Sequence, residues 1–496
     1  MEVIASFVPS TASPAGELAT PPPGATTVEL RADLLDPEAD LAPLIAACPR
    51  PVLLTLRSAA EGGRGPTDPE ARRRFFQRAV GWPAALWDLE AARDGELLGS
   101  VVPRERAVLS LHVDATPPDL EQRVRQLLSH GTVLAKVVPT AWRLADVLAV
   151  LSLNAGLDHG ERSRRRAIVF ATGEAGRATR LLAPLLGAPV AYAAWSAGRA
   201  AAPGQYTPEE LSALIGHLRG RPRRVLAVLG RPVAASLSPR MHNAAYRALG
   251  LPNLMVPLEI EEEGELDALL APAGETALDE LGLPCGGYAV TMPWKEAALG
   301  RCSLAAPRAQ RARAVNTVLP RLGKVLGDCT DIDGITAALG EAGVSLSGRR
   351  ALVLGAGATA RAAVVALDLA GAQVALSARS AAAVRALAAE LGVAVAEGAD
   401  AASAEVVVNA TPAGRDGDPD PFLASLAAPR GAVVVDLPYG QGPTFLENLA
   451  QERGWGYVSG REVLLFQGLA QFAAHNGVAP PAAAMAQALG LEEVQG

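Results

Sequence analysis

Lysine is nearly missing from this chain. Of 45 lysines and arginines only Lys136, Lys295 and Lys324 are lysine. Arginine keeps its proton under all ordinary conditions, whereas a desolvated lysine can become a neutral nucleophile or a general acid or base. A sequence that uses arginine wherever a permanent charge suffices therefore reserves lysine for an amine that must change state. Lys324, in a Gly-Lys turn, reads as solvated surface. Cysteine is also sparse. Cys48, Cys285, Cys302 and Cys329 are scattered and form no Cys-x-x-Cys pair, which argues against a disulfide framework and a zinc site. A reducing cytoplasm and no metal are expected. No stretch reaches about 18 uninterrupted apolar residues, so no membrane helix is expected. Blocks of like charge are absent too, and the net charge of -7 leaves no electrostatic footprint for nucleic acid. The basic pieces at 162–166 and 221–224 are short enough to be solvated turns.

What is present is an apolar half in a chain long enough for two or three domains. Residues 1–26 are rich in Pro, Ala, Ser and Thr and carry only Glu2 and Glu17 as charges. They read as a disordered leader. From Val28 onward short apolar runs alternate with longer Ala/Leu/Arg segments, at 51–56, 107–111, 133–138 and 167–171. Buried parallel strands with crossover helices read this way, so residues 27–220 are expected to form a (β/α)8 barrel of the TIM type. Catalytic groups in such a barrel sit at the C-terminal ends of strands.

The polar residues of this half fall there. Glu29 and Arg31, two apart on a strand, face the same side, the barrel interior. Arg57 ends the next strand, with Glu61 following in a Glu-Gly-Gly turn. His112 ends a later strand, and Lys136 lies inside an apolar one with no partner evident, where desolvation favours the free amine. These residues, with the segments at 29–33, 55–63, 110–112, 135–137, 173–180 and 202–205, resemble the type I 3-dehydroquinate dehydratase family. The resemblance implies that Lys136 forms an imine with the substrate ketone, that His112 moves protons and that Glu61 orients His112. It also implies that Arg180 holds the substrate carboxylate while Glu29, Arg31, Arg57 and Gln205 grip the ring hydroxyls and the ketone region. Ala201 stands where the family usually has Ser or Thr.

A fresh strand begins at about residue 224. Polar clusters follow at 236–243, 289–295, 314–317 and 327–334, suited to a polyhydroxy acid, over an α/β substrate domain expected at 224–334 and completed by C-terminal helices at 461–496. Between these lies an expected Rossmann domain at 335–460. A strand runs into Gly-Ala-Gly-Ala-Thr-Ala at 355–360 and opens an Ala-rich helix, the context in which a helix N-terminus receives a pyrophosphate. The next strand ends without Asp or Glu, and Arg379 suits a 2'-phosphate, which favours NADP over NAD.

This half resembles shikimate dehydrogenase. The resemblance implies that Lys295 is the proton donor, paired with Asp331, that Ser236 and Ser238 bind the carboxylate, and that Thr291, Asn316, Tyr439 and Gln467 hold the ring. Its cofactor residues would be Gly355, Ala356, Gly357, Ala358, Ala360, Arg379, Ser380, Asn409, Thr411 and Gly460. Ala289 and Cys329 stand where the family has Asn. The product of the first implied reaction, 3-dehydroshikimate from 3-dehydroquinate, is the substrate of the second, which makes shikimate. A bifunctional enzyme of the shikimate pathway is therefore expected, with small-molecule substrates, NADP(H) and no nucleic-acid or membrane partner. Two alternatives stay open: a second half acting mainly on quinate, or one half that kept its fold without turnover.

Overall fold

The computed structural model describes residues 2–10, 13–157, 166–321, 323–396, 402–440 and 442–491, so most of the basic piece at 162–166 and residues 492–496 of the expected C-terminal helices lie outside it. The chain divides into two compact units, the first built on residues up to Arg223 and the second on most of those from Arg224 onward.

The first unit is a parallel sheet of eight strands in the order β7-β6-β5-β4-β3-β2-β1-β8, a near-closed barrel. The strands are β1 (Glu2–Phe7), β2 (Thr27–Arg31), β3 (Val52–Thr55), β4 (Leu86–Glu90), β5 (Ala107–Val113), β6 (Leu134–Pro139), β7 (Ala167–Val169) and β8 (Val190–Ala194). Here the expectation of a disordered leader at 1–26 is corrected. Val3, Ile4 and Phe7 are buried, and β1 lies between β2 and β8 with both ladders parallel. Six residues that are β-branched or aromatic at key positions suffice for a strand when two neighbours supply its hydrogen bonds. The Pro- and Ser-rich stretch after it masks that signal in the composition.

Each barrel strand sends alternate side chains inward. At one end of the interior Ile4, Leu53, Val108, Ile168 and Val190 make an apolar floor. Toward the C-terminal ends the same inward positions turn polar, and these are the residues that build the site.

The second unit contains two sheets. The first is built from β9 (Arg224–Gly230), β10 (Asn253–Glu259), β11 (Cys285–Val290), β12 (Leu304–Ala305), β13 (Thr317–Arg321) and β14 (Lys324–Asp328) in the order β10-β9-β11-β13-β14-β12, and it is mixed: β9 is parallel to β11, and β13 is antiparallel to β11 and to β14. The other is built from β15 (Arg350–Leu354), β16 (Gln373–Ser377), β17 (Ala394–Val395), β18 (Val406–Asn409), β19 (Val433–Asp436) and β20 (Gly456–Ser459), and its order β17-β16-β15-β18-β19-β20 is wholly parallel, the doubly wound order expected of a Rossmann domain. Helices Gly460–Asn476 and Ala482–Ala488 then return to the first sheet, where Leu465, Phe472 and Met485 join Leu226, Met241, Tyr246 and Met255 in one core. Removing a ring such as Phe472 from it would cost about 3–5 kcal/mol. No helix among the described residues is long and apolar enough to cross a membrane.

Candidate active sites

In the barrel, Lys136 is 2% exposed and Asp88 1%. The Lys136 Nζ donates to Asp88 Oδ2 at 2.5 Å and lies 3.7 Å from Glu29 Oε1. The expectation of a lysine with no partner is thus corrected, because a buried ammonium without a counter-charge would lose its proton or disrupt the fold. Asp88 is shared. It also accepts from Arg57 Nη2 at 3.0 Å and from Ser110 Oγ at 2.5 Å. Burial works to raise the Asp88 carboxyl, but Arg57 and Lys136 hold it well below the usual carboxylate range.

Arg57 is the hub of the site. Its Nη1 reaches Glu61, Glu90 and Ser110 at 3.1 to 3.2 Å. With three carboxylates around it, this guanidinium organises the interior and has little left to offer a ligand. Glu29 is similarly engaged, accepting from Ser6 Oγ at 2.6 Å and Thr55 Oγ1 at 3.0 Å. Arg31 turns to Asp33 in a two-bond pair at 2.7 Å. Gln205 accepts from the backbone N–H groups of Ala201 and Ala202, which shapes its own loop.

His112, with a quarter of its side chain exposed, faces Glu61 with Nδ1 to Oε2 at 3.0 Å, and the same oxygen accepts the His112 backbone N–H at 3.0 Å. Burial, with the charges of Arg57 and Lys136, pushes the imidazole well below its ordinary value. Burial also lifts Glu61, against the pull of Arg57, to about 7. A neutral imidazole that gives its Nδ1 proton to Glu61 keeps a basic lone pair on Nε2.

Arg180, on the helix Arg177–Leu186, is 4% exposed, and its Nε and Nη1 find no hydrogen-bond partner among the described residues. Its Nη2 reaches only the Pro203 carbonyl, at 3.3 Å. Burial without a counter-charge pushes it down to about 10. Buried guanidinium groups are ordinarily paired, so this one calls for an anion.

In the second unit, Lys295 begins the helix Lys295–Arg301 and donates to Asp331 Oδ2 at 2.5 Å. Asp331, first residue of the helix Asp331–Glu341, also accepts from Asn316 Nδ2 at 2.8 Å. Burial would lower the Lys295 amine, but Asp331 holds it above lysine's usual value. Gln467 donates to Thr330 Oγ1 at 3.1 Å, and the Thr330 N–H donates to Asn316 Oδ1 at 2.7 Å. Five of the expected residues are thereby linked, since Tyr439 lies within electrostatic reach of Lys295 and meets the backbone of Leu237, which separates Ser236 from Ser238. The Ser238 N–H donates to Ser236 Oγ at 3.4 Å. Thr291 opens the loop that leads to Lys295, its N–H bonded to the Leu229 carbonyl at 2.8 Å.

The glycine turn after β15 (Arg350–Leu354) has the form a dinucleotide needs. Gly355 has φ 124°, and a Cβ there would lie 3.1 Å from the Ala410 carbonyl. Gly357 precedes the helix Ala358–Leu369 with no side-chain cap and open space where a Cβ would stand. Ala356 and Ala358 flank it, and Ala360 is wholly buried behind. Arg379 is exposed just past β16 (Gln373–Ser377). The remaining expected cofactor residues have structural employment. Ser380 caps the helix Ala381–Leu391, and Asn409 bonds Asp436 at 2.7 Å while accepting from Thr411. At Gly460 a Cβ would fall 2.3 Å from the Leu437 carbonyl, so the residue permits close packing.

Residues 15–221 match the family model for type I 3-dehydroquinase, and residues 228–318 match that for the shikimate dehydrogenase substrate-binding domain. The second half is similar to shikimate dehydrogenase (NADP(+)) of Rubrobacter xylanophilus, 41% identical over 280 residues that cover 53% of this chain and 95% of that protein. The chain belongs to the shikimate dehydrogenase family and carries a type I 3-dehydroquinase ahead of it. The same order occurs in the chloroplastic bifunctional 3-dehydroquinate dehydratase/shikimate dehydrogenase of Arabidopsis thaliana, 28% identical over 491 residues, covering 92% of this chain and 79% of that one. The pentafunctional AROM polypeptide of Kluyveromyces lactis is 29% identical over 463 residues, 87% of this chain and 28% of its own.

Several residues of the dehydroquinase half escape a reading by motif. Asp88 and Glu90 are two apart on β4, the same spacing as Glu29 and Arg31, and that period was the available signal. Arg72, fully buried, pairs with Asp94 at 2.6 Å behind Glu90 and closes the charge network from outside the strands. In the dehydrogenase half Cys329 is wholly buried, and burial pushes its thiol far up, so it acts as a small apolar residue there. Among the described residues no group of three or more His, Cys, Asp or Glu could hold a metal ion.

Proposed function

We propose that the dehydroquinase half removes water from 3-dehydroquinate through an imine on Lys136, and that the dehydrogenase half reduces the resulting 3-dehydroshikimate to shikimate with NADPH. The observation that carries the reading is the state of the three lysines. Lys136 and Lys295 are buried, each 2.5 Å from one carboxylate, while Lys324 is exposed.

In the barrel, attack of the neutral Lys136 amine on the ketone carbon and loss of water give a protonated imine, a far better electron sink than the ketone. The adjacent C–H becomes acidic. His112, neutral and aligned by Glu61, takes that proton on Nε2 and then returns a proton to the departing hydroxyl. Hydrolysis of the imine restores Lys136. Arg180, with two unsatisfied nitrogens, receives the substrate carboxylate. Glu29, Arg31 and Gln205 line the ring, and Arg57 acts by fixing Asp88 and Glu61.

In the dehydrogenase half the open turn at Gly355–Gly357 and the helix N-terminus behind it would hold the pyrophosphate of a dinucleotide, and Arg379 would hold a 2'-phosphate. When bound, NADPH supplies the hydride. Negative charge then develops on the carbonyl oxygen, and Lys295, held protonated by Asp331, delivers a proton there. Ser236 and Ser238 bind the carboxylate, while Thr291, Asn316, Tyr439 and Gln467 orient the ring.

One assay tests both halves: the purified protein is given 3-dehydroquinate and NADPH, and NADPH loss and product are followed. Shikimate with loss of NADPH is expected. NADPH untouched by 3-dehydroquinate but consumed with 3-dehydroshikimate would sink the barrel reading, and no consumption with either would sink the reductase reading.

A further inference from the structure

Strands β7 and β8 end the barrel sheet and are not bonded to each other among the described residues. Across that seam two aromatic side chains meet, Phe170 just past β7 and Tyr192 on β8, 7% and 5% exposed, with ring centroids 5.6 Å apart and planes at 38°. Each ring carries a cation over its face. The Lys136 Nζ sits 4.8 Å from the Tyr192 centroid, and the Arg180 guanidinium carbon sits 4.6 Å from the Phe170 centroid. Three contacts thus link lysine to tyrosine, tyrosine to phenylalanine and phenylalanine to arginine. The Tyr192 hydroxyl is buried and finds no hydrogen-bond partner among the described residues, so what Tyr192 offers Lys136 is its ring face.

We propose that the Tyr192–Phe170 pair is a spacer that positions the imine-forming nitrogen of Lys136 relative to the carboxylate-binding guanidinium of Arg180, and so sets which ketone-to-carboxylate span the barrel accepts. The proposal rests on the roles given above to Lys136 and Arg180. An aromatic face attracts a cation through its quadrupole and leaves it mobile in the ring plane, whereas Asp88 fixes Nζ by a directional bond. Between them the nitrogen is confined. Its cationic forms, ammonium and protonated imine, gain from the ring, while the neutral amine does not. Phe170 does the same for Arg180, whose polar partners within the chain are too few to hold it in place. Both rings are positioning residues, acting through the two cations.

The test is reduction by borohydride in the presence of 3-dehydroshikimate, with the covalently trapped fraction of the chain read by mass. In Tyr192→Leu the trapped fraction and the dehydratase kcat should each fall about tenfold, and in Phe170→Leu the KM for 3-dehydroquinate should rise by a similar factor with kcat little changed. Tyr192→Phe, which keeps the face and drops the hydroxyl, should stay within about twofold of the parent. Trapping in Tyr192→Leu equal to the parent would overturn the proposal, as would a Tyr192→Phe protein as poor as Tyr192→Leu. If the leucine variant fails to fold, pentafluorophenylalanine at position 192 keeps the shape and reverses the charge of the face. It should behave as the leucine variant is expected to, and trapping at the Tyr192→Phe level would again overturn the proposal. Absence of any adduct in the parent protein, or an adduct persisting in Lys136→Ala, would instead sink the imine reading itself.

Discussion

Lys136 and Lys295 are both buried and both 2.5 Å from an aspartate oxygen, yet the chemistry assigned to them is opposite: one must shed its proton to attack carbon, the other must hold its proton until an oxygen needs it. The difference lies in the company of the aspartate. Asp88 divides its charge between Lys136, the Arg57 guanidinium and Ser110, and Arg57 adds its own positive charge to the site. Among the described residues Asp331 is shared with the neutral Asn316 amide and no second cation, and the balance of burial and charge leaves Lys295 raised. The distance of a lysine–carboxylate pair therefore does not define its role. Whether a second cation competes for the same carboxylate does.

The largest effects should come from removing the lysines one at a time. Lys136→Ala is expected to reduce dehydration to background while leaving reduction of 3-dehydroshikimate unchanged. Lys295→Ala should do the reverse, lowering the reductase kcat by on the order of 10² to 10⁴. Steady-state rates on each substrate separately check this. Loss of both activities in either variant would break the comparison, because the two pairs would then not act independently.

A contrast of the next size concerns Arg180. Among the described residues it is the buried cation of the barrel left without a carboxylate, where Arg57 has three. Arg180→Met should lower dehydratase kcat/KM by about 10², since the substrate carboxylate loses its partner. The same change removes an uncompensated buried charge and is expected to raise the melting temperature of the ligand-free protein by a few degrees. A function-destroying substitution that stabilises the fold marks a residue kept for a ligand, and a drop in melting temperature would mean that Arg180 serves the fold instead.

How far the sequence told this in advance depends on what signal each residue leaves. Lys136 and Lys295 stood out because the chain is nearly devoid of lysine, whereas the parts given to His112, Glu61 and Asp331 came with the family resemblances and not from composition. The glycine turn at 355–357 was legible from its place between strand and helix. Strand β1 was not, because six residues next to a Pro-rich stretch are outvoted by their surroundings and gain their stability only from β2 and β8. Asp88 and Glu90 were missed for a related reason: they interrupt the apolar run by which a buried strand is recognised, and only the interior of a barrel can repay that with Arg57 and Lys136. Tyr192 left no signal in the sequence: it is a core residue, and only its position over Nζ gives it a further part.

The His112–Glu61 pair gives a smaller effect with a definite sign. The Glu61 carboxyl is lifted to about 7 by burial, above its ordinary 4.5. A group raised in the folded state stabilises fully below its unfolded value, and that contribution is lost as pH rises through the folded value. The barrel should thus lose stability from Glu61 between about pH 4.5 and 7. Relative to Glu61→Gln, the parent protein is expected to be more stable at pH 5 than at pH 7.5, measured as the difference in the melting temperature of the barrel transition. His112, lowered in the folded state, has the opposite slope below its ordinary 6.5, so the double variant with His112→Gln should isolate the two contributions.

The smallest change asks whether the barrel's departure from its family matters. Ala201 lies in the loop that Gln205 shapes by accepting from the Ala201 and Ala202 N–H groups, close in sequence to Pro203, whose carbonyl Arg180 touches. A serine there adds a hydroxyl on a preformed loop without disturbing the charge network around Arg57. One neutral hydrogen bond to a bound ligand is worth roughly two- to tenfold in affinity. Ala201→Ser is therefore expected to lower the KM for 3-dehydroquinate by that factor with kcat unchanged, because the contact is made equally in the ground and transition states. A change in kcat would show that the loop takes part in the proton transfers at Lys136 and His112, and the division between a binding end at Arg180 and a chemical end at Lys136 would have to be redrawn.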